Sequence, residues 1–568
     1  MQKKNRVYLV LSVLLCLVIV GGYSLYSFIK SRIPLGITRS VSVALQLKEF
    51  SAEKLSDYNP KTQQSVDVLH YSIRINLDTK KKKIDGDVTI SIKINDKSAE
   101  TIPINFYDNM NIKLVELNGI KTDYGQDDMI LSVKKADKNF DTLSVRVVYS
   151  GTPKSLGFGS FNFETHQKHP FVYTLNEPVF ASTWLPCVDM PNDKAQMDMF
   201  VTNDSCCVSL SNGNLIETKT VGSKKTYHWK TVYPISTYLI AIYSGKYESF
   251  SQNYQSVTRD SLNLSYYAFE SDLENAKKDF SDHPQYMKVF EEIFGAYPFI
   301  KEKYSVAEIL WQNGAMEHQT LTGIGSNFVG GHKFFTDMLV HELAHHWWGN
   351  AVGPKTWKDI WLNEGFATYS EALYWEKVAG PLVLQSTMNA KFGTFGRGTL
   401  YSPGDALFGN LVYNKGAWVL HMLRREIGDD SFFKSLREYL KEYKYGNAST
   451  SDFKKLCEKI CGKKLGQFFN QWVYKGEGII ELAYDWSADK KGSEISLVFN
   501  TEQLQNGYDI YKFPLEVKFI YEGNESETKF VTINQKQQRF YFTLKSKPKE
   551  VVLDPDKWLL ATFESRND

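Results

Sequence analysis

His341-Glu342-Leu343-Ala344-His345, followed after eighteen intervening residues by Glu364, is the part of this 568-residue chain with the most chemistry in it. Residues four apart on a helix project from one face, so the imidazoles of His341 and His345 can reach a single metal ion. Two imidazoles and one carboxylate suit zinc, and three protein ligands leave a fourth tetrahedral position for water, as in a catalytic rather than a closed structural site. Glu342, beside the two histidines, is placed to act as general base on a metal-bound water. A buried helix whose histidines are satisfied by polar neighbours is the plainer alternative, but it gives Glu342 and Glu364 no reason to share the site.

The spacing predicts a helical hairpin to hold these groups. Residues 334–350 carry apolar side chains at helical spacing and end at Gly349-Asn350, with Gly353-Pro354 close behind. A second helix is expected from near Asp359, with Asn363 and Glu364 in its early turns, returning antiparallel to the first. Glu371 lies seven residues after Glu364 on the same side; it reads either as an acceptor for a ligand imidazole or as an exposed helix glutamate. His346 points about 100° away from His345 and is read as a packed or surface histidine.

Three more segments bear on the reaction. Gly314-Ala315-Met316-Glu317-His318 follows YSVAEILWQN, a strand-like run, and a small Gly-Ala pair on an edge strand lets a peptide backbone pair with it. Thr174-Leu175-Asn176-Glu177 leads into Trp184-Leu185-Pro186-Cys187-Val188-Asp189-Met190-Pro191, and Val412-Tyr413-Asn414-Lys415-Gly416-Ala417 lies downstream. With the metal motif, these segments resemble the aminopeptidase N family of gluzincin zinc metallopeptidases, which also contains the leukotriene hydrolase. His318 stands where that family has Asn, and Leu175 where Gln is common.

The resemblance runs from about Val66 to the C-terminus and implies a compact member without the C-terminal helical domain. It implies one zinc ion per chain on His341, His345 and Glu364, and hydrolysis of the first peptide bond of peptides with free N-termini. By the same resemblance Gly314, Ala315 and Met316 line the peptide, Glu317 and Glu177 bind its α-ammonium, and Tyr413 donates to the oxyanion. The alternatives are a surface binding protein without turnover and a zinc epoxide hydrolase.

The fold class expected is multi-domain α+β. Residues 65–251 alternate in hydropathy, as in YSIRINL and VTISIKI, and form an N-terminal β domain; helical patterns dominate 252–474; residues 475–568 alternate again as a small β sandwich. The resemblance makes the first saddle-like and the second thermolysin-like. A hydrophobic content of 42% is enough for several cores, and a net charge of +2 argues against a nucleic-acid partner. Cys16, Cys187, Cys206, Cys207, Cys457 and Cys461 form no disulfide framework; Cys457 and Cys461 read as packed thiols, and Cys206 and Cys207 as strand neighbours facing opposite ways. Residues 1–6 are basic and 7–29 uncharged and mostly apolar, long enough to span a bilayer. This predicts a cytoplasmic tail, a single-pass anchor, a stalk over 30–64 and a catalytic body outside the cell membrane. Signal cleavage near Val20 to Gly22, giving a secreted protein, is the alternative. Nothing in the sequence fixes an oligomeric state.

Overall fold

The computed structural model describes residues 54–55, 65–135, 140–404, 407–491 and 494–567. The tail, the anchor over 7–29 and nearly all of the stalk lie outside them. No helix among the described residues is long and apolar enough to cross a membrane.

The first part of the chain builds a nine-stranded sheet around Val66–Asp78, which pairs antiparallel with Lys83–Ile94 and parallel with Lys194–Asp204. Alternation decides which face is covered: Ile73, Ile75 and Leu77 are buried, as are Ile84, Val88, Ile90 and Ile92 opposite. A four-stranded sheet beside it contains Ser160–His166 and His169–Leu175. The latter ends two residues before Glu177.

A five-stranded sheet follows, in the order Glu248–Gln255, Ser261–Ala268, Tyr304–Ile309, Leu321–Gly325, Ala315–Met316. Its first strand spans the position expected for the break, 251, and pairs along its whole length with Ser261–Ala268, so residues 248–251 belong to the same sheet as those that follow. Among the described residues Ala315–Met316 is an edge strand, paired only with Leu321–Gly325.

Helices pack beyond this sheet. The helix carrying His341 is Thr336–Ala344, shorter than the expected 334–350; His345 to Asn350 continue as turns, with Asn350 N–H donating to the His345 carbonyl and Gly349 at φ +113°. The helix carrying Glu364, Trp361–Ala379, begins after a turn capped by Thr356 and Asp359 and stops at Gly380. Every residue from Trp361 to Tyr374 is buried, so this helix is the axis of the helical part. Helix Gly416–Ile427 crosses it at Gly365 and Gly416, where a Cβ on either would lie within 2.9 Å of the other's Cα. That contact is open only to glycine, and it brings the turn carrying Tyr413 against the helix carrying Glu364.

The last part has a four-stranded and a three-stranded sheet, with Phe519 of one packed at 5.2 Å on Phe542 of the other. Cys206 and Cys207 differ from expectation. They sit in the turn between Lys194–Asp204 and Val208–Leu210, where Tyr227 donates to the Cys207 carbonyl. Cys206 is exposed and Cys207 buried, and Cys457 and Cys461 are free on the helix Thr450–Cys461.

Candidate active site and metal centre

His341, His345 and Glu364 converge as the hairpin demands. Their ligand atoms, two Nε2 and one Oε2, form a triangle with sides of 3.0, 3.3 and 3.4 Å. Tetrahedral ligands about 2.0 to 2.1 Å from zinc stand about 3.3 to 3.4 Å apart, so the triangle has the size zinc requires. Both imidazoles are oriented from behind. His341 Nδ1 donates to Glu371 Oε1 at 2.8 Å, and His345 Nδ1 to the Trp348 carbonyl at 3.0 Å, which leaves each Nε2 lone pair for a metal.

Glu371 is 7% exposed, which removes the exposed-glutamate reading, and its second oxygen accepts from Lys391 Nζ at 2.5 Å. His346 is buried and accepts the Thr320 N–H through Nε2 at 3.0 Å; it packs and does not enter the site. His318 is buried against Tyr243, likewise away from the site.

The electrostatics are those of a cation site. Burial opposes a proton on His341, but Glu364 and Glu371 hold it up at about 9. Burial would raise Glu364, yet His345 and His341 keep it down at about 2. Oxygens of Glu177, Glu317, Glu342 and Glu364 are buried without a hydrogen bond. Carboxylate oxygens of Glu177, Glu317 and Glu364 lie within 4.8 Å of one another. Burial first, then its neighbours Glu317 and Glu364, push Glu177 well up, and burial raises Glu317. Such a cluster keeps its charge only beside a positive group.

All ten residues marked by the sequence line one cavity of about 440 Å³: Glu177, Gly314, Ala315, Met316, Glu317, His341, Glu342, His345, Glu364 and Tyr413. The Tyr413 ring lies parallel to that of His341, 14° apart with centroids at 5.9 Å. Burial and the surrounding carboxylates raise its phenol well above the usual range, so it stays protonated and able to donate. Glu342 is lifted to about 8 by burial, with the two imidazoles pulling the other way. The sequence reading missed several residues on the cavity wall, among them Met338, Thr368, Phe408 and Asn410. Phe158, 5.4 Å from Trp311 and 5.7 Å from Phe408, closes one side with three aromatic rings. The three rings come from loops, and neither a motif nor a periodicity marks Phe158 or Phe408.

The family model of the Peptidase M1 N-terminal domain matches residues 67–239, and that of the Peptidase family M1 domain matches 279–397 and 399–472. "Probable aminopeptidase 2" of Sulfurisphaera tokodaii is 27% identical over 66% of this chain and 50% of its own length. The mitochondrial "Aminopeptidase 2" of Saccharomyces cerevisiae is 26% identical over 73% of this chain and 47% of its own. The chain thus spans about half the length of the curated relatives it matches. Among solved structures, Legionella pneumophila aminopeptidase A in complex with aspartic acid superposes with a TM-score of 0.79 at 19% identity, over 90% of this chain and 60% of that one. An M1 zinc metallopeptidase from Deinococcus radiodurans bound to a Tyr-Ser-Ala substrate gives 0.66 at 24% identity, over 72% and 94%. At these identities the solved structures bear on the fold alone.

Proposed function

Because the chain belongs to peptidase family M1, we propose that it is a zinc-dependent aminopeptidase, hydrolysing the first peptide bond of peptides with a free N-terminus. One observation carries this reading: a His-His-Glu triangle of zinc dimensions shares Glu364 with a second, all-carboxylate cluster made with Glu177 and Glu317. A metal position beside an ammonium position measures one residue from the N-terminus to the scissile carbonyl.

His341, His345 and Glu364 would hold zinc, which when bound supplies a Lewis acid for the scissile carbonyl and for water. Glu342 takes the proton from the attacking water and returns it to the leaving amine; a carboxylate lifted towards 8 is suited to both transfers near neutral pH. Tyr413 donates to the oxygen that gains charge as water adds. Glu177 and Glu317 bind the ammonium, whose charge restores both to the ionised form. Gly314, Ala315 and Met316 offer the edge of the five-stranded sheet to the peptide backbone. Within this reading the parts of the chain are a saddle-like β domain, a thermolysin-like domain and a C-terminal β sandwich. Residues 7–29 anchor the chain in the cell membrane with the catalytic body outside, as their lack of charge and the basic flank suggest.

The test is release of amino acids from a panel of fluorogenic aminoacyl amides, run with wild type and Glu342→Gln and with N-acetylated controls. Turnover of free-amine substrates only, falling at least about a hundredfold in Glu342→Gln with zinc content unchanged, is the expected outcome. A zinc-loaded, folded wild type that cleaves none of the panel would remove the assignment.

A further inference from the structure

Glu317 is held in its buried cluster by very little sheet. Its strand, Ala315–Met316, makes two pairings with Leu321–Gly325 and ends before Glu317, which has no ladder partner. Yet its carboxylate lies within 4.8 Å of those of Glu177 and Glu364. Two ladder pairings fix little of such a segment, so its backbone needs another restraint if the carboxylate is to keep its place in the cluster.

The Asn350 side chain supplies it. Nδ2 donates to the Glu317 carbonyl at 2.7 Å, and the flipped amide would set oxygen against oxygen. Asn350 Oδ1 is buried without a hydrogen bond, a cost the site carries so that Nδ2 can reach this one acceptor. The main chain of the same residue is tied at both ends. Its N–H donates to the carbonyl of the ligand His345 at 3.0 Å, and its carbonyl accepts from Lys194 Nζ at 2.8 Å. Asn350 therefore touches the backbone of a metal ligand, the backbone of the ammonium carboxylate and a lysine from the N-terminal β part. No other polar side chain reaches the Glu317 carbonyl among the described hydrogen bonds; Asn212, which reaches this segment, holds the Gln319 carbonyl at 2.7 Å.

We propose that Asn350, seated by Lys194, is a positioning residue that fixes the distance between the metal site and Glu317, and through it the restriction of cleavage to peptides with a free N-terminus. This rests on Glu317 being the ammonium ligand, as proposed above. A charge-assisted hydrogen bond is sensitive to small displacements, so loss of the restraint weakens ammonium binding without touching the zinc ligands.

The experiment measures the affinity of the zinc-loaded full chain for leucine hydroxamate and for its N-acetyl derivative. Both chelate zinc, and only the first has an ammonium. The ratio of the two affinities, expected to favour the free amine about tenfold or more in wild type, reports the ammonium site. Asn350→Ala and the near-isosteric Asn350→Asp, which lacks the donor when ionised, are expected to lower the ratio severalfold with zinc content unchanged, the Asp variant read at a pH high enough to ionise it. Lys194→Met should lower it in the same direction and Lys194→Arg restore it. If Asn350→Ala does not fold, Asn350→Asp and the Lys194 pair carry the test. Should Glu317→Ala keep the wild-type ratio, Glu317 is not the ammonium ligand and the functional reading itself fails. Should Glu317→Ala abolish the preference while the Asn350 variants keep it, or weaken both compounds equally, the positioning role is overturned.

Discussion

His341 can present an Nε2 lone pair only while its proton stays on Nδ1, and the group that keeps it there is Glu371 at 2.8 Å. Lys391 in turn fixes Glu371, so the imidazole is oriented through two charged contacts rather than by its own helix. Glu371→Ala is expected to weaken zinc binding about 10- to 100-fold, read by competition with a chromophoric chelator. An unchanged zinc affinity would show that the helix alone sets the ring. The sequence displayed the three candidate ligands because helical spacing and side-chain chemistry agree at those positions. It left Glu371 open between two roles because spacing places a residue on a face but does not say whether that face is covered. Asn350 was legible only as a helix stop; its partner, Glu317, lies 33 residues away along the chain.

Strand Tyr304–Ile309 carries its own anomaly, a fully buried Glu308 among apolar neighbours. Burial raises this carboxyl to about 9 from an ordinary 4.5, with the Phe269 N–H opposing and Asp272 adding to the rise. A folded-state value above the unfolded one means stability is complete below about pH 4.5 and is lost as pH climbs towards 9, because only the unfolded chain gives up the proton over that window. Glu308→Gln keeps the shape and cannot ionise. It should melt like wild type near pH 4.5 and be more stable at pH 8, by up to a few kcal/mol. Thermal melts of both proteins across this range check it, and parallel curves would mean that Glu308 ionises in place at little cost. Element boundaries were less legible than element types. The helix carrying His341 stops at Ala344 rather than Asn350 because residues 345–350 turn with longer-range hydrogen bonds, His345 carbonyl to Asn350 N–H and His346 carbonyl to Ala351 N–H. Six residues are little more than one turn in either winding, too few for apolar spacing to separate them in the sequence.

Among the described residues one apolar core runs from Leu55 to Leu560, and the site lies where its parts meet. Glu177 arrives from the N-terminal β part, Glu317 from the edge of the five-stranded sheet, the ligands from the helical hairpin and Tyr413 from the turn ahead of Gly416–Ile427. The joints around it are packed and polar together. Lys303 Nζ donates to the Ser211 carbonyl at 2.7 Å while lying 4.1 Å over the Trp229 ring, and His421 stacks on Trp558 at 4.3 Å. Alternation along the strands revealed the two β regions, but that Glu248–Gln255 joins the five-stranded sheet and Tyr243–Gly245 a different one was invisible, since a strand's own pattern does not name the sheet it joins. A metal bound at such a junction stabilises every part that supplies a ligand or packs on one. Zinc that binds only the folded chain adds about 2.7 kcal/mol when free zinc is a hundredfold above its dissociation constant, and it offsets the crowding of Glu177, Glu317, Glu342 and Glu364. Removing it with a chelator is therefore expected to lower the melting temperature by a few degrees as one undivided calorimetric transition, and zinc added back should restore it. A chelated protein whose transition splits, one peak moving and another staying, would mean that the continuous core does not couple the parts and that the site is stabilised only by the helical hairpin around it.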